Sequence, residues 1–261
     1  MTIHTFLMPR GNIVMAGAGG TGSQMLTGLA RMAIALRSLG LHEPHVSVYD
    51  PDTVSPSNIG RQLFSEGDVG QFKVDVLVNR INLYFGLEWD AIPSKFIGAK
   101  KSCVIVGCVD NRASRKDIYN HAKQNTGYWL DLGNGNTYGQ AILGNTDFGE
   151  SSWHRRKQYA LLPTVADLYP EMIDDSVADP DDTPSCSLAE ALEKQDLLVN
   201  QTVATHALEI LWQLFRHGEI RYHGFFFDVT KFSLTPLSVD PKAWKPYLKK
   251  AVKYNRRKEA A

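Results

Sequence analysis

The stretch NIVMAGAGGTGSQ, residues 12–24, decides the fold that this sequence predicts. Its apolar start, residues 13–16, predicts a short strand, and the glycines that follow are Gly17, Gly19, Gly20 and Gly22. They contain the G-x-G-x-x-G spacing, which lets a chain turn tightly at a helix N-terminus and approach a phosphate group closely. NAD, FAD and ATP all carry such phosphates, so the loop predicts nucleotide binding without selecting the nucleotide.

Strand-like and helix-like segments alternate through the first half of the chain. Apolar spacing predicts strands at 13–16, 45–49, 103–108 and 128–132, and helices at 22–39, 73–85 and 115–125. This order predicts an α/β fold with a doubly wound, Rossmann-like and mainly parallel sheet, whose ligands bind beyond the C-terminal strand ends. An apolar helix at 197–215 and two strands within 222–239, with a turn near Thr230, predict a C-terminal antiparallel hairpin.

Composition limits the class of protein. With 261 residues, of which 43% are hydrophobic, residues 1–261 are expected to form a single domain with a full core. Lysine plus arginine and aspartate plus glutamate both number 28, so no overall field favours nucleic acid, although the tail 242–261 is basic. The sequence has no apolar run long enough to span a bilayer and no signal-peptide pattern, so we expect a cytoplasmic protein without a membrane partner.

A second cluster of unusual residues lies in VYDPDTVSPSNIGRQLF, residues 48–64. Asp50 ends a predicted strand, where a carboxylate can bind the ribose hydroxyls of either NAD or ATP. The following loop is polar and a lysine opens the next helix, which adds Asp52, Ser57, Asn58, Arg61, Gln62 and Lys73. Two cations near a strand end suit a triphosphate better than a dinucleotide, because they can stabilise the charge that develops on departing pyrophosphate.

A third strand end carries Asp110 and Asn111, within CVDNRASR, residues 108–115. Asp110 is a candidate magnesium ligand, because Mg²⁺ is commonly held by one or two carboxylates, by waters and by substrate phosphates. Structural interpretations remain open beside these roles. Asp52 can cap a local turn, Asp110 and Asn111 can form a turn after the strand, and Arg115 can be a helix-surface residue paired to an acid.

Together, the motifs G-x-G-G-x-G, D-x-D-T-V-x-x-S-N-x-x-R-Q, G-x-x-K and D-N-x-x-x-R resemble the superfamily of ThiF, MoeB and ubiquitin-activating enzymes. The resemblance is dense over residues 12–145 and looser to about 239. The short length and the lack of zinc-binding C-x-x-C pairs most resemble the ThiF-family proteins of bacterial PRTRC systems. Zinc is therefore not expected.

The resemblance implies ATP-dependent adenylation of the C-terminal glycine of a ubiquitin-like protein, with ATP and Mg²⁺ required. It implies that Asp50 holds the ribose, that Asp110 holds magnesium, and that the phosphates and their pocket involve Asn58, Arg61, Gln62 and Lys73. The implied partners are a second copy of the chain in a homodimer and proteins resembling conjugating enzymes and JAB-type peptidases. The arginine that reaches the neighbouring subunit's ATP site in relatives has only Arg10 as a counterpart in residues 1–11, and Arg10 is a poor match.

The cysteines divide into two settings. Cys103 and Cys108 lie on an apolar strand, where a cysteine behaves as a small buried hydrophobe. Cys186 ends the acidic segment 168–186, for which we predict a mobile crossover loop, and precedes SLAEALEKQ. A helix N-terminus there would favour thiolate, and residues 184–188 resemble the setting of the thioester cysteine in ubiquitin-activating enzymes. A buried structural role remains the alternative, since nearby aspartates oppose thiolate formation.

Two further function classes stay open. One is a ThiF-like enzyme that acts on a tRNA or a small molecule, as a threonylcarbamoyl-adenosine dehydratase does, and the basic tail is the feature that would suit it. The other is an inactive scaffold subunit, against which the joint presence of Arg61, Lys73 and Asp110 argues. A dehydrogenase explains neither this pair of cations nor the setting of Cys186.

Overall fold

The alternation of apolar strands with amphipathic helices produces the expected layered fold. The computed structural model describes residues 2–8, 10–99, 103–124, 127–146, 161–179 and 187–259. The strands are β1 (His4–Thr5), β2 (Asn12–Ala16), β3 (Val46–Tyr49), β4 (Asp90–Ile92), β5 (Cys103–Gly107), β6 (Tyr128–Asn134), β7 (Tyr138–Asn145), β8 (Glu219–Ile220), β9 (Tyr222–Asp228) and β10 (Ser233–Ser238). The helices are α1 (Gly20–Ser38), α2 (Lys73–Phe85), α3 (Arg112–Gln124), α4 (Val165–Leu168), α5 (Leu188–Lys194), α6 (Val199–His217) and α7 (Pro241–Glu259).

One eight-stranded sheet, in the order β10-β9-β7-β6-β5-β2-β3-β4, forms the centre of the structure. The strands from β4 to β6 are parallel, and β7, β9 and β10 continue the sheet in antiparallel pairing. A separate pair, β1 with β8, lies outside it. The prediction of a Rossmann-like, mainly parallel sheet with a C-terminal antiparallel hairpin is confirmed.

The parallel strands all end at one edge because they share a direction. Ile13 on β2 lies opposite Val104 on β5 and Val46 on β3, and this register brings Ala16, Tyr49 and Gly107 to the same level. The loops after β2, β3 and β5 therefore meet at one edge. Their meeting brings the glycine loop, Asp50 and Asp110 to one place.

The differences from the predicted elements have local causes. The predicted helix at 73–85 has the observed bounds, and the other predicted boundaries differ by up to three residues. β4 is three residues long, and β7 contains polar and glycine positions, so neither shows a clear apolar pattern. The basic tail, for which the sequence analysis predicted no element, forms the helix α7.

The described part of the predicted acidic loop is held by ion pairs. Residues 168–179 contain the end of α4 and a 3₁₀ turn at Pro170–Ile173. Asp174 accepts hydrogen bonds from Tyr254 at 2.6 Å and from Lys258, both on α7. Asp175 pairs with Lys116 of α3 at 2.7 Å. Residues 180–186, which complete this loop, lie outside the described residues, and its predicted mobility stays a prediction.

A buried histidine lies on β9, in the antiparallel part of the sheet. His223 is fully buried, and its Nδ1 lies 2.7 Å from the carbonyl oxygen of Leu143. A carbonyl only accepts, so Nδ1 carries the hydrogen and Nε2 is the unprotonated nitrogen of a neutral ring. Within the described ranges, Nε2 has no hydrogen-bond partner. Burial lowers the pKa of His223 to about 4, although the bond to Leu143 opposes this.

We predict that this histidine makes the protein less stable in mild acid. Because the unfolded chain binds a proton near the ordinary histidine pKa of about 6.5, the stability due to neutral His223 is complete above that pH. It falls by roughly 1.4 kcal/mol per pH unit as the pH decreases toward the folded-state value. Urea unfolding of the wild type and of His223→Gln between pH 7.5 and 5 measures the effect.

The variant should show a shallower pH dependence of the free energy of unfolding than the wild type. His217→Gln, on the exposed end of α6, is the matched control and should keep the wild-type slope. Equal slopes for His223→Gln and the wild type would contradict the prediction.

Candidate functional site

A cleft of about 1330 Å³ lies at the carboxyl edge of the parallel strands. It is bounded by the loops after β2, β3 and β5, by the turn between β6 and β7, and by the α5–α6 junction. Most of the predicted site residues line it, namely Gly17, Gly19, Gly20, Asp50, Asp52, Asn58, Arg61, Gln62, Lys73, Asp110 and Asn111. Their convergence follows from the sheet topology, since three loops separated in sequence reach one edge.

The glycines of the loop are needed for different structural reasons. Gly17 has a φ of 99°, and a Cβ there would lie 2.5 Å from the carbonyl oxygen of Cys108. A Cβ at Gly22 would lie 2.1 Å from the carbonyl oxygen of Gly17, so Gly22 permits close packing of α1 and does not line the cleft. Gly19 faces open space, because the nearest atom to its would-be Cβ is Oε1 of Gln62 at 4.0 Å.

The N-terminus of α1 opens into the cleft at this loop. Gly19 is its N-cap residue, and no side chain among the described residues caps it. The first N–H groups of a helix lack partners within the helix and carry the positive end of its dipole. This end is therefore available to an anionic group such as a phosphate.

Asp50 fastens the glycine loop to the end of β3. Its Oδ2 accepts from the backbone N–H of Ala18 at 2.6 Å, and its Oδ1 accepts from the N–H of Asp52 at 2.8 Å. Burial raises the pKa of Asp50, while these two bonds and Lys73 oppose the rise. Each carboxylate oxygen has a further lone pair, so the side chain can still accept from a ribose hydroxyl at the cleft.

Lys73 is a buried cation held against one carboxylate. Its side chain is only 9% exposed, and its Nζ lies 2.9 Å from Oδ2 of Asp52, which is itself largely exposed. The backbone N–H of Lys73 also donates to the carbonyl of Asp52 at 2.9 Å. Asp52 therefore positions Lys73, the lysine that opens α2. This role is additional to the turn-capping role that the sequence analysis suggested for Asp52.

Arg61 and Gln62 bring incompletely paired polar groups to the cleft. Nη1 of Arg61 donates to Oε1 of Gln195 at 3.4 Å. Its buried Nε, like the buried Oε1 of Gln62, has no hydrogen-bond partner among the residues that the structure describes. Burial lowers the pKa of Arg61, and the nearby Asp110 opposes this change. A half-buried guanidinium of this kind has donors left for an anionic ligand.

Ser57 and Asn58 form part of a local turn. Oδ1 of Asn58 accepts from the backbone N–H of Ser55 at 2.9 Å, and the hydroxyls of Ser55 and Ser57 lie 3.0 Å apart. The turn-forming role that the sequence allowed is thus present. The amide nitrogen of Asn58 is not used by this bond.

Asp110 and Asn111 follow β5 and are hydrogen-bonded to each other. Asp110 is exposed, and its Oδ1 accepts from Nδ2 of Asn111 at 3.1 Å. Oδ1 of Asn111 accepts from the backbone N–H of Ser114 at 2.8 Å and so caps α3. Within the described ranges, no group of three or more metal-binding side chains occurs. A single exposed carboxylate fits Mg²⁺ only when substrate phosphates and waters complete the coordination.

The sequence allowed Arg115 an acidic partner, but it did not indicate that the ion pair is buried beneath the cleft. Arg115 is buried and its Nε donates to Oδ1 of Asp131 on β6 at 3.1 Å, so it is not a helix-surface residue. Its Nη2 also donates to the carbonyl of Leu132 at 3.2 Å. The pair joins α3 to the end of β6. An aspartate within the apolar run of β6 was the only signal that could have indicated it.

A second missed group is an amide network on the other side of the cleft. Asn200 is 2% exposed, and its Oδ1 accepts from Thr21 at 3.0 Å and also from Asn134. Its Nδ2 donates to Oε1 of Gln195 at 2.7 Å. The network connects α1, β6 and α6, and nothing in the sequence marks these residues.

The cleft has one further wall, formed by the acidic segment. Arg112 at the start of α3 donates through Nη1 to Asp179 at 2.7 Å, and its backbone N–H lies 3.1 Å from Oδ2 of the same carboxylate. Both residues line the cleft. This ion pair therefore holds Asp179 of the acidic segment against α3.

Two cysteines lie within the described residues, and of these Cys108 lines the cleft. Cys103 is buried and Cys108 half-buried. Burial raises the pKa of Cys103 to about 11 and also raises the pKa of Cys108. Cys186, the predicted nucleophile, lies outside the described residues. The described chain resumes at Ser187, whose side chain caps α5 by accepting from the N–H of Glu190 at 3.2 Å.

Comparison with solved structures identifies similar folds. The crystal structure of PaaA matches with a TM-score of 0.56 at 14% identity, covering 89% of this chain and 65% of that one. The crystal structure of E. coli MccB with ATP matches with a TM-score of 0.55 at 14% identity, covering 89% of this chain and 64% of MccB. The chain thus spans somewhat less than two thirds of the length of these proteins. At this identity the likeness is one of fold.

Three other findings complete the comparison. None of the curated proteins is significantly similar to this chain in sequence. Over the described ranges, no helix has both the length and the apolar character required to cross a membrane. The sequence profile of the ThiF family matches residues 8–246, which is most of the chain. The chain therefore belongs to the ThiF family.

Proposed function

We propose that this protein catalyses the ATP-dependent adenylation of the C-terminal glycine of a ubiquitin-like protein. The observation that supports this most directly is the convergence of Arg61, Lys73 and Asp110 with the glycine loop on one cleft. An MccB structure of similar fold contains ATP, and others contain MccA. The proposal that the partner is a ubiquitin-like protein rests on the sequence motifs, which resemble those of ubiquitin-activating enzymes.

Each of these residues has a distinct task in the proposed reaction. An oxygen of the glycine carboxylate attacks the α-phosphorus of ATP, the bond between the α-phosphorus and the bridging oxygen breaks, and pyrophosphate leaves with the electron pair. Arg61 and Lys73 stabilise the charge on the leaving pyrophosphate, because both are held in place before substrate arrives. Asp50 orients the ribose. Asp110 would hold Mg²⁺, which when bound neutralises phosphate charge.

The two halves of the mechanism need different parts of the chain. In the second half, the thiolate of Cys186 attacks the carbonyl carbon of the acyl-adenylate, AMP leaves, and a thioester forms. The N-terminal side of α5, which begins two residues after Cys186, favours a thiolate. The resemblance to PRTRC proteins supplies the remaining proposed partners, which are proteins similar to conjugating enzymes and JAB-type peptidases.

We predict that MgATP binds in preference to NAD and that the cleft charges are needed for adenylation. Arg61→Ala, Lys73→Ala and Asp110→Ala should each lower the rate ~10²-fold or more, because each removes a preorganised charge contact. Calorimetry with MgATP and NAD measures binding, and ATP–pyrophosphate exchange with ubiquitin-like proteins that end in glycine measures adenylation.

Arg31→Ala, an exposed cation of α1 outside the cleft, is the control and should retain the wild-type rate. Tighter binding of NAD than of MgATP would contradict the proposed function. Exchange that depends on a tRNA and on no protein carrier would favour the dehydratase-like alternative.

We predict that adenylation and thioester formation can be separated by mutation. Cys186→Ala should leave ATP–pyrophosphate exchange nearly intact and abolish the carrier adduct that a reducing agent cleaves on a gel. Cys103→Ala and Cys108→Ala are matched controls that should keep the adduct, because both thiols lie in the apolar strand region and not on the acidic segment. A thiol-sensitive adduct on the Cys186→Ala protein would disprove the assignment.

We also predict a two-fold homodimer. The apolar face of α6 is buried against α1 within the chain. Apolar side chains at the β9–β10 hairpin remain exposed, with Phe232 fully exposed and Leu234 48% exposed. Light scattering at micromolar concentration should give twice the mass of the chain, and a monomer would contradict the prediction.

A further inference from the structure

Gln195 connects the catalytic candidate Arg61 to a buried amide network. It follows α5 directly, and its Oε1 accepts from Nη1 of Arg61 at 3.4 Å and from Nδ2 of Asn200 at 2.7 Å. Its Nε2 donates to the carbonyl of Gly135 at 3.1 Å. That carbonyl can only accept, so the amide has one orientation, with its oxygen toward Arg61.

The network behind Gln195 restrains this orientation. The amide of Asn200 is fixed in turn, because its Oδ1 accepts from Thr21 and Asn134 and only its nitrogen is left to donate. Nδ2 of Asn134 also donates to Thr21 at 2.8 Å. Thr21 lies in the first turn of α1, directly after the glycine loop. The oxygen that contacts Arg61 is therefore held by the same helix end that faces the cleft.

The neutral character of the acceptor matters for an arginine in this position. A carboxylate partner would form a strong charge-assisted hydrogen bond and partly neutralise the arginine. An amide oxygen contacts the guanidinium without adding charge. Burial without a full set of partners leaves the cation of Arg61 poorly compensated, as its unpartnered Nε within the described residues indicates.

We propose that Gln195 is a positioning residue for Arg61, whose neutral oxygen directs the guanidinium while leaving its charge for the phosphates of the nucleotide. This inference rests on the proposed function, because that function assigns Arg61 to the phosphates. It adds a role for the α5–α6 junction, which lies 134 residues from Arg61 in sequence. The junction follows the segment that carries Cys186.

Calorimetry with MgATP tests the proposal on the full-length protein. Gln195→Leu should weaken MgATP binding roughly 3- to 10-fold, which corresponds to the net loss of one ordinary hydrogen bond. Gln195→Glu should weaken it more, and most at low salt, because a carboxylate pairs with Arg61 and competes with phosphate. In the Arg61→Ala background, Gln195→Leu should have almost no further effect, since its contact is already lost.

Gln213→Leu is the matched control, because Gln213 is a hydrogen-bonded glutamine on α6 outside the cleft and its loss should leave binding unchanged. If the wild type binds no MgATP, the proposed function fails. If the wild type binds and Arg61→Ala weakens binding, but Gln195→Leu acts equally with and without Arg61, the positioning role is overturned. Thermal unfolding identifies a misfolded Gln195→Leu protein, and in that case tighter or unchanged binding by Gln195→Glu overturns the proposal.

Discussion

The close approach of Gly17 to the end of β5 is the constraint on which the site depends. The chain leaves β2 and enters α1 within four residues, and this path brings the backbone of Gly17 against the carbonyl of Cys108. Any side chain at Gly17 would collide with that backbone and would also be strained by the positive φ. The path directs the N-terminus of α1 at the cleft and sets the level at which the loops carrying Asp50 and Asp110 meet it.

Much of the fold could be predicted because its signals are local. The apolar run before Gly17 and the apolar spacing that begins at Lys73 each mark an element without reference to the rest of the chain. The convergence of Asp50, Arg61, Lys73 and Asp110 could also be predicted, since each follows or begins a segment at the same edge of a parallel sheet. Short or glycine-interrupted strands such as β4 and β7 lack this local signal, and tertiary pairing alone defines them.

The supporting contacts of the site could not be predicted for a related reason. Gln195 and Asn200 are ordinary residues near a helix start, and their importance arises only when α6 packs on α1. The burial of Arg115 is another such case, because its partner Asp131 lies on β6 and is buried only after the sheet forms. Sequence motifs therefore indicate the residues that face the cleft better than those that hold them in place.

The ion pairs that hold the acidic segment differ in how strongly salt weakens them. Its outer pair, Lys116 with Asp175, has side chains 42% and 45% exposed, whereas Arg112 and Asp179 at the cleft are 16% and 17% exposed. Dissolved salt weakens the attraction between exposed charges and affects buried pairs much less. Rising ionic strength consequently loosens the outer attachment of the segment first, while the wall of the cleft at Asp179 keeps its contact with α3.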